Sequence, residues 1–73
     1  MKLTQLPPQR TAEIKAINLP PEDAAILWEL GVGVKSKITL VRFFLRSTAL
    51  VVVDGAVVAI GKEYADAIEA ELC

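Results

Sequence analysis

The dipeptide Asp54-Gly55 constrains the fold of this chain more than any other feature, because a long apolar run lies on each side of it. Asp-Gly between two such runs is typical of a β-hairpin with a type I′ turn, in which both turn positions need a positive φ. Glycine adopts positive φ freely, and aspartate tolerates it. The sequence therefore predicts two antiparallel strands, Thr48–Val53 and Ala56–Gly61, joined by a two-residue turn.

The segments before and after this hairpin predict further strands and one short helix. Arg10–Asn18 alternates in part between apolar and polar residues, and Ser36–Phe44 is rich in β-branched and aromatic residues, so both favour strands. Pro21–Leu30 favours a helix, with proline at its first position and acidic residues in its first turn. One helical turn over Lys62–Ala67 and a short closing strand over Ile68–Leu72 follow. The predicted fold is mainly β with one short helix, packed as a small, strongly bent antiparallel β-barrel.

The chain is predicted to change abruptly from helix to strand after residue 30. Gly31 follows the last apolar residue of the helix and suits a left-handed cap. Gly33 is predicted to let the chain turn tightly into the next strand. The apolar stripe of the helix consists of Ile26, Leu27 and Leu30. Trp28 lies roughly opposite this stripe at about 100° per residue, so it points away from it.

Composition excludes several classes of function. The chain has 73 residues, 53% of them hydrophobic, which predicts one domain over residues 1–73 with a core of its own. Eight basic and nine acidic residues give a net charge of −1, which argues against a nucleic-acid binder. Histidine is absent and Cys73 is the sole cysteine, so we predict no catalytic site, no cofactor, no metal site and no internal disulfide.

The sequence also predicts where the protein resides. The first ten residues contain no long apolar segment of the kind found in signal peptides. The longest nearly apolar run, Ala49–Ile60, is interrupted by Asp54-Gly55 and is too short to span a bilayer. We therefore expect a cytoplasmic protein that does not insert directly into membranes.

More apolar surface is present than one short helix can cover, which points to a binding partner. Both predicted hairpin strands are apolar on both faces, as is typical of strands covered on both sides. We predict a partner-binding surface that contains Trp28, Phe43, Phe44, Leu45 and Arg46, because aromatic residues and arginine are enriched at interfaces. Such a surface can dock on another protein or on a second copy of the chain. In the alternative interpretation the outward apolar residues are simply tolerated, and whichever phenylalanine points inward plugs the barrel.

The order and spacing of motifs along nearly the whole chain are similar to those of a known family. The motifs are two opening leucines, two isoleucines in the first strand, a helix that ends L-x-E-L-G, an apolar pair in the next strand, a segment like G-x-x-[IL]-A-L, and a closing A-x-x-I. The matching residues are Leu3, Leu6, Ile14, Ile17, Leu27, Glu29, Leu30, Gly31, Ile38, Leu40, Gly55, Val58, Ala59, Ile60, Ala65 and Ile68. On these residues the chain resembles the FeoA family, the small SH3-like proteins of bacterial ferrous iron transport.

Three positions depart from the pattern of this family. Gln9 occupies a position where the family often has glycine. Lys35 occupies a position where a Pro-Gly turn is usual, and Gly33 is expected to take over the turning role. Residues 43–48, FFLRST, replace a loop that usually carries two prolines and a glycine, so the partner surface there is expected to differ.

The resemblance implies an SH3-like barrel and a non-enzymatic role. Members of the family are implied to be cytosolic accessories that bind and modulate a membrane ferrous iron transporter with a GTPase domain. The alternative is a metal-responsive regulatory module, similar to the SH3-like domains attached to iron-dependent repressors. The lack of DNA-binding helices and of histidine counts against this alternative.

Overall fold

Antiparallel pairing of five strands gives one sheet with the order β4-β3-β2-β1-β5. The computed structural model describes residues 1–73. The strands are β1 (Thr11–Ile17), β2 (Lys37–Phe44), β3 (Thr48–Val53), β4 (Ala56–Gly61) and β5 (Ile68–Leu72). A 3₁₀ helix (Leu3–Gln5), α1 (Pro21–Glu29) and α2 (Lys62–Asp66) complete the fold. Neither α-helix has the length or the apolar content that crossing a bilayer requires.

The predicted β3–β4 hairpin is confirmed. Asp54 and Gly55 have φ values of 51° and 79°, and the flanking residues Val53 and Ala56 pair across the turn. The pairing then continues without a register shift to the far end of both strands. The predicted bounds of β3, β4 and β5 are confirmed, and those of β1, α1 and β2 are correct to within one residue at each end.

One face of the sheet carries the hydrophobic core. Every fully buried side chain is apolar, and no buried polar side chain lacks a hydrogen-bond partner. The strands supply alternating residues, and the 3₁₀ helix, α1, the loop after α1, and α2 cover them. The buried side chains are Leu3, Leu6, Ala12, Ile14, Leu27, Val32, Ile38, Leu40, Ala49, Val51, Val53, Ile60, Ala65, Ile68 and Ala70.

The prediction of a barrel with a single helix needs two corrections. There are two short α-helices, and the sheet is open, because β4 and β5 form its two edges without pairing to each other. The N-terminus explains why β5 does not close the sheet. The backbones of Met1 and Ala70 exchange two hydrogen bonds of 2.7 and 2.8 Å, and Lys2 forms a β-bridge with Glu69. The first two residues therefore occupy the edge that a closing strand would need.

The apolar stripe predicted for α1 is wrong. Of its three residues only Leu27 is buried, whereas Ile26 and Leu30 are half exposed. The helix lies at the margin of the sheet, so a single side chain reaches the core. Tyr64 of α2 ties this helix to the rest of the fold, because its hydroxyl donates a 2.8 Å hydrogen bond to Asp23. This bond to a carboxylate raises the pKa of Tyr64.

The residues at two departures from the family pattern, Gln9 and Lys35, both lie in turns. Both residues have a left-handed backbone, with φ values of 69° and 76°. The amide of Gln9 donates to Leu40 and that of Lys35 donates to Ile14, which fixes each turn against the sheet. A residue with a Cβ in this region is strained, whereas glycine is not. Both turns are therefore built with residues that are less favourable than glycine.

Substitution of Gly55 tests the hairpin. We expect Gly55→Val to lower the free energy of unfolding by about 1–3 kcal/mol, because a β-branched residue is strained at positive φ. Gly61 is the matched control, since a Cβ at either glycine would meet no atom within 4 Å and only Gly55 has a positive φ. Urea unfolding should show a much smaller change for Gly61→Val. Equal changes for the two variants would contradict the strained turn.

Substitution of Lys35 tests the second turn in the opposite direction. We expect Lys35→Gly to raise the free energy of unfolding by about 1 kcal/mol, because it relieves the left-handed strain at a φ of 76°. Lys35→Ala is the control, since it also removes the lysine side chain but keeps the Cβ. Thermal unfolding should place the Tm of the glycine variant above that of the alanine variant, and the reverse order would refute the assignment.

Candidate docking surfaces

An open apolar groove of about 540 Å³ runs between the end of β1, helix α1 and the loop that leads into β2. Its walls carry six hydrophobic side chains, and no charged residue lines it. The lining residues are Ile17, Pro21, Ala24, Ala25, Trp28, Val32, Gly33 and Val34. Its size lies in the range of ligand-binding sites, but it is open along its length, as suits a segment of another protein.

Trp28 forms one wall of this groove and remains 69% exposed. The Cε3–Cζ3 edge of its indole ring lies against the backbone of Gly33, so closely that a Cβ at residue 33 would collide with the ring. Gly33 also begins the predicted turn into β2, since its carbonyl accepts a 3.0 Å hydrogen bond from the Ser36 amide. Its φ is not positive, and the left-handed turn is made at Lys35 instead. Glycine at position 33 leaves room for this edge of the indole.

Short hydrogen bonds hold the floor of the groove in place. Gly31 caps α1 with a φ of 87°, as predicted, and its amide donates to the carbonyl of Trp28 at 2.9 Å. The amide of the buried Val32 donates to the carbonyl of Leu27 at 2.9 Å. The Ser36 hydroxyl accepts a hydrogen bond from the Gly33 amide and donates one to the Gly31 carbonyl. The groove is thus formed before any partner arrives, which lowers the entropic cost of binding.

The predicted residues Phe43, Phe44, Leu45 and Arg46 form a second surface, the β2–β3 tip. All four side chains are exposed, and Leu45 is the most exposed at 78%. Leu45 and Arg46 are both left-handed, with φ values of 52° and 64°. Bulky residues rarely adopt this conformation, and such strain concentrates at functional sites. The guanidinium of Arg42 lies 5.7 Å from the centroid of the Phe44 ring and covers part of it.

The alternative in which one phenylalanine plugs the core is wrong. Phe43 and Phe44 are 39% and 46% exposed. A bulge between Leu40 and Arg42 shifts the register, so that Phe43 pairs with Ala49. Directly opposite residues share a face, so Phe43 lies on the same side of the sheet as the buried Ala49. It stands near the end of the strand, however, and stays too exposed to fill the core.

The structure does not bring Trp28 together with the β2–β3 tip. Trp28 packs on the loop that begins β2, whereas the tip follows the last residue of that strand. A strand of this length spans roughly 20 Å. The predicted partner surface is therefore two surfaces, at opposite ends of β2.

The sequence interpretation missed most of the groove, although a signal for it was present. Pro21, Ala24, Ala25 and Trp28 recur at the spacing of one helical face, and all four line the groove. The sequence analysis instead took the larger aliphatic residues on the other face, Ile26, Leu27 and Leu30, as the buried stripe of the helix. Ile17 and Val34 come from outside the helix, and periodicity within the helix could not have identified them.

A second cleft, of about 500 Å³, has a different chemical character. It is lined by Ser47, Gly61, Lys62, Glu63 and Tyr64, which include two charged residues. The Tyr64 hydroxyl there is already bonded to Asp23. No group of three histidine, cysteine, aspartate or glutamate side chains converges anywhere in the fold, and the exposed Cys73 thiol has the Lys37 ammonium 3.5 Å away. The apolar groove is the better candidate for docking.

Comparison with known proteins places this geometry in a family. A family model, the FeoA domain, matches residues 1–72. No curated protein sequence matches the chain. The solution structure of the FeoA protein from Chlorobium tepidum is similar with a TM-score of 0.89 and 23% identity, over 99% of this chain and 70% of that one. A crystal structure of an iron uptake regulatory protein (FeoA) is similar with a TM-score of 0.90 and 18% identity, over 100% of this chain and 97% of that one.

A third structure has a higher sequence identity. The iron(II) transport protein A from Clostridium thermocellum has a TM-score of 0.91 and 27% identity, over 99% of this chain and 45% of that one. This chain therefore spans less than half the length of that protein. These likenesses support the SH3-like fold that the resemblance implies. The family match supports a role in ferrous iron transport. With the FeoA domain matched over residues 1–72, the chain belongs to the FeoA family.

Proposed function

We propose that this chain is a non-enzymatic, cytoplasmic accessory protein of ferrous iron uptake, which binds and modulates a membrane iron transporter of the GTPase type. The observation that carries this proposal is a FeoA domain over residues 1–72 with a preformed apolar groove beside its exposed tryptophan. The whole described chain, residues 1–73, acts as one domain in this proposal. Its contribution is to present a rigid docking surface to the cytosolic part of the transporter.

The groove has the physical features of a binding hot spot. Tryptophan at the wall of a pocket offers a large contact area at little cost in conformational entropy. Ala24, Ala25 and Gly33 keep the space beside the indole open for side chains of the partner. Since no charged residue lines the groove, the transporter segment that enters it is expected to be apolar.

The β2–β3 tip supplies a second contact in this proposal. Leu45 is exposed in a conformation that leucine rarely adopts, so selection for stability alone would not favour it. Phe43 and Phe44 add aromatic area, and Arg46 can pair with acidic residues on the partner. Two contacts at opposite ends of β2 would also fix the orientation of the chain on the transporter.

Substitutions in the two surfaces test the docking proposal. We expect Trp28→Ala and Leu45→Asp each to weaken binding to the cytosolic part of the transporter by about tenfold or more. Both should leave the fold intact, since the residues are exposed and aspartate tolerates a left-handed backbone better than leucine does. Biolayer interferometry measures the affinity, and circular dichroism checks the fold.

Ile26 provides matched controls for both variants. It is half exposed on the same helix as Trp28 but lies outside the groove and the tip. Ile26→Ala and Ile26→Asp should therefore bind as the unmodified chain does. Normal folding with undiminished binding in both Trp28→Ala and Leu45→Asp would show that the transporter docks elsewhere. Unfolding of both would assign these residues a structural role.

Titration with ferrous iron separates the accessory role from that of a metal-responsive regulator. We expect no saturable, stoichiometric binding by calorimetry under anaerobic conditions, because the chain offers no imidazole and one thiol. That thiol also lies beside the Lys37 ammonium, which repels a cation. Tight binding that persists in Cys73→Ser would contradict the accessory role and favour the regulator.

A further inference from the structure

The two edge strands of the sheet, β4 and β5, differ in how far their outer backbone groups are covered. The outer edge of β5 is covered by Met1 and Lys2, and the strand carries the charged residues Glu69 and Glu71. The outer edge of β4 is covered by no strand or bridge. It also lacks the features by which proteins protect an edge, since its sequence, AVVAIG, has no charge and no proline and its pairing has no bulge.

Alternate residues of β4 direct their backbone groups toward the open edge. A two-residue hairpin makes the residues that flank the turn a hydrogen-bonded pair, and bonded pairs then recur at every second residue. Ala56, Val58 and Ile60 therefore bond to β3. Val57, Ala59 and Gly61 present their N–H and C=O groups outward. Their side-chain positions lie on the outer face of the sheet, where Val57 is 69% exposed.

We propose that β4 pairs antiparallel with β4 of a second copy of this chain, centred on Ala59, and so joins two five-stranded sheets into one. In this register Ala59 lies opposite its counterpart, and Val57 lies opposite Gly61 of the other copy. Directly opposite residues then share a face of the sheet, as antiparallel pairing requires. About six backbone hydrogen bonds form, which satisfy the outward groups of all three residues in each copy.

Charge and shape favour a second copy as the occupant of this edge. Like strands that pair across a two-fold axis bring identical residues together, which is costly when they are charged. Self-pairing of β5 would place carboxylates of Glu69 and Glu71 near one another, whereas β4 contains no charged residue. On the outer face, Val57 and Ala59 continue an apolar strip that begins with the half-buried Leu50 and Val52 of β3. The pairing extends this strip without interruption into the second copy.

Sedimentation equilibrium tests the association. We expect the apparent mass of the unmodified chain to rise with concentration toward twice 7.9 kDa. Ala59→Lys should raise the dissociation constant about fivefold or more, because it places two ammonium groups opposite each other. Thr11→Lys, an exposed site in a central strand, is the charge-matched control and should associate as the unmodified chain does. An equimolar mixture of Ala59→Lys and Ala59→Glu should recover association, since opposite charges then meet.

Disulfide trapping tests the register in a Cys73→Ser background. Cysteines at position 59 would have Cα atoms about 5.5 Å apart across the axis, within bonding range. Cysteines at position 57 would be offset by four residues, roughly 13 Å, which is too far to bridge. With oxidised glutathione as the oxidant, Ala59→Cys should form covalent dimers and Val57→Cys should not.

Three results would overturn the proposal. The first is an unmodified chain that keeps a mass of 7.9 kDa at every concentration. The second is a dimer that Ala59→Lys leaves as tight as before. The third is trapping that is equally efficient at positions 57 and 59. None of these results bears on the groove beside Trp28, so this proposal and the proposed transporter binding can fail separately.

Discussion

Burial of a single apolar layer on one face of an open sheet is the interaction on which the rest of this structure depends. The core consists of fifteen apolar side chains, with no buried polar residue among them. Such a core specifies strand register strongly, because a slip by one residue would turn every core side chain of that strand to the outer face. The elements outside the sheet cover this layer and add side chains to it. Leu3 and Leu6 enter it from the N-terminal segment, Leu27 from α1 and Ala65 from α2. Each of these segments contributes only one or two side chains to the core.

The sequence predicted what depends on local rules. The Asp54-Gly55 turn, the strands on either side of it and the cap at Gly31 follow from backbone preferences and periodicity, and all of them are confirmed. Two failures have one cause, which is that local patterns do not record tertiary neighbours. Closure of the barrel depends on what lies beside β5, and there the backbone of Met1 occupies the edge. The face that α1 presents depends on its place at the margin of the sheet, where the stripe of larger aliphatic residues is not the buried one.

The turn before β2 also shows that local sequence patterns do not record tertiary neighbours. The sequence predicts a turn at Gly33 because glycine permits unusual backbone angles, and Gly33 does begin the turn. Its φ is not positive, however, and the lack of a side chain instead leaves room for the indole of Trp28. Lys35 adopts the left-handed conformation, which its residue type disfavours. The loop must reach β2 while its Lys35 amide bonds to Ile14, and this tertiary hydrogen bond holds the strained angle. The sequence shows which residue types tolerate a left-handed backbone, but tertiary contacts determine which residues adopt it.

The surplus of apolar residues is what gives this small fold its surfaces. Hydrophobic residues make up 53% of the chain, far more than the fifteen that the core can hold. Six of the nine exposed large hydrophobic residues lie in three places, namely the groove beside Trp28, the β2–β3 tip and the outer edge of β4. No residue of β4 lines the groove. Pairing of two copies through β4 would therefore leave both grooves open. A dimer with two free grooves binds a partner that carries two sites more tightly than either groove alone can, because the second contact forms at a high effective concentration. Weak individual contacts, such as one open groove provides, gain most from this arrangement.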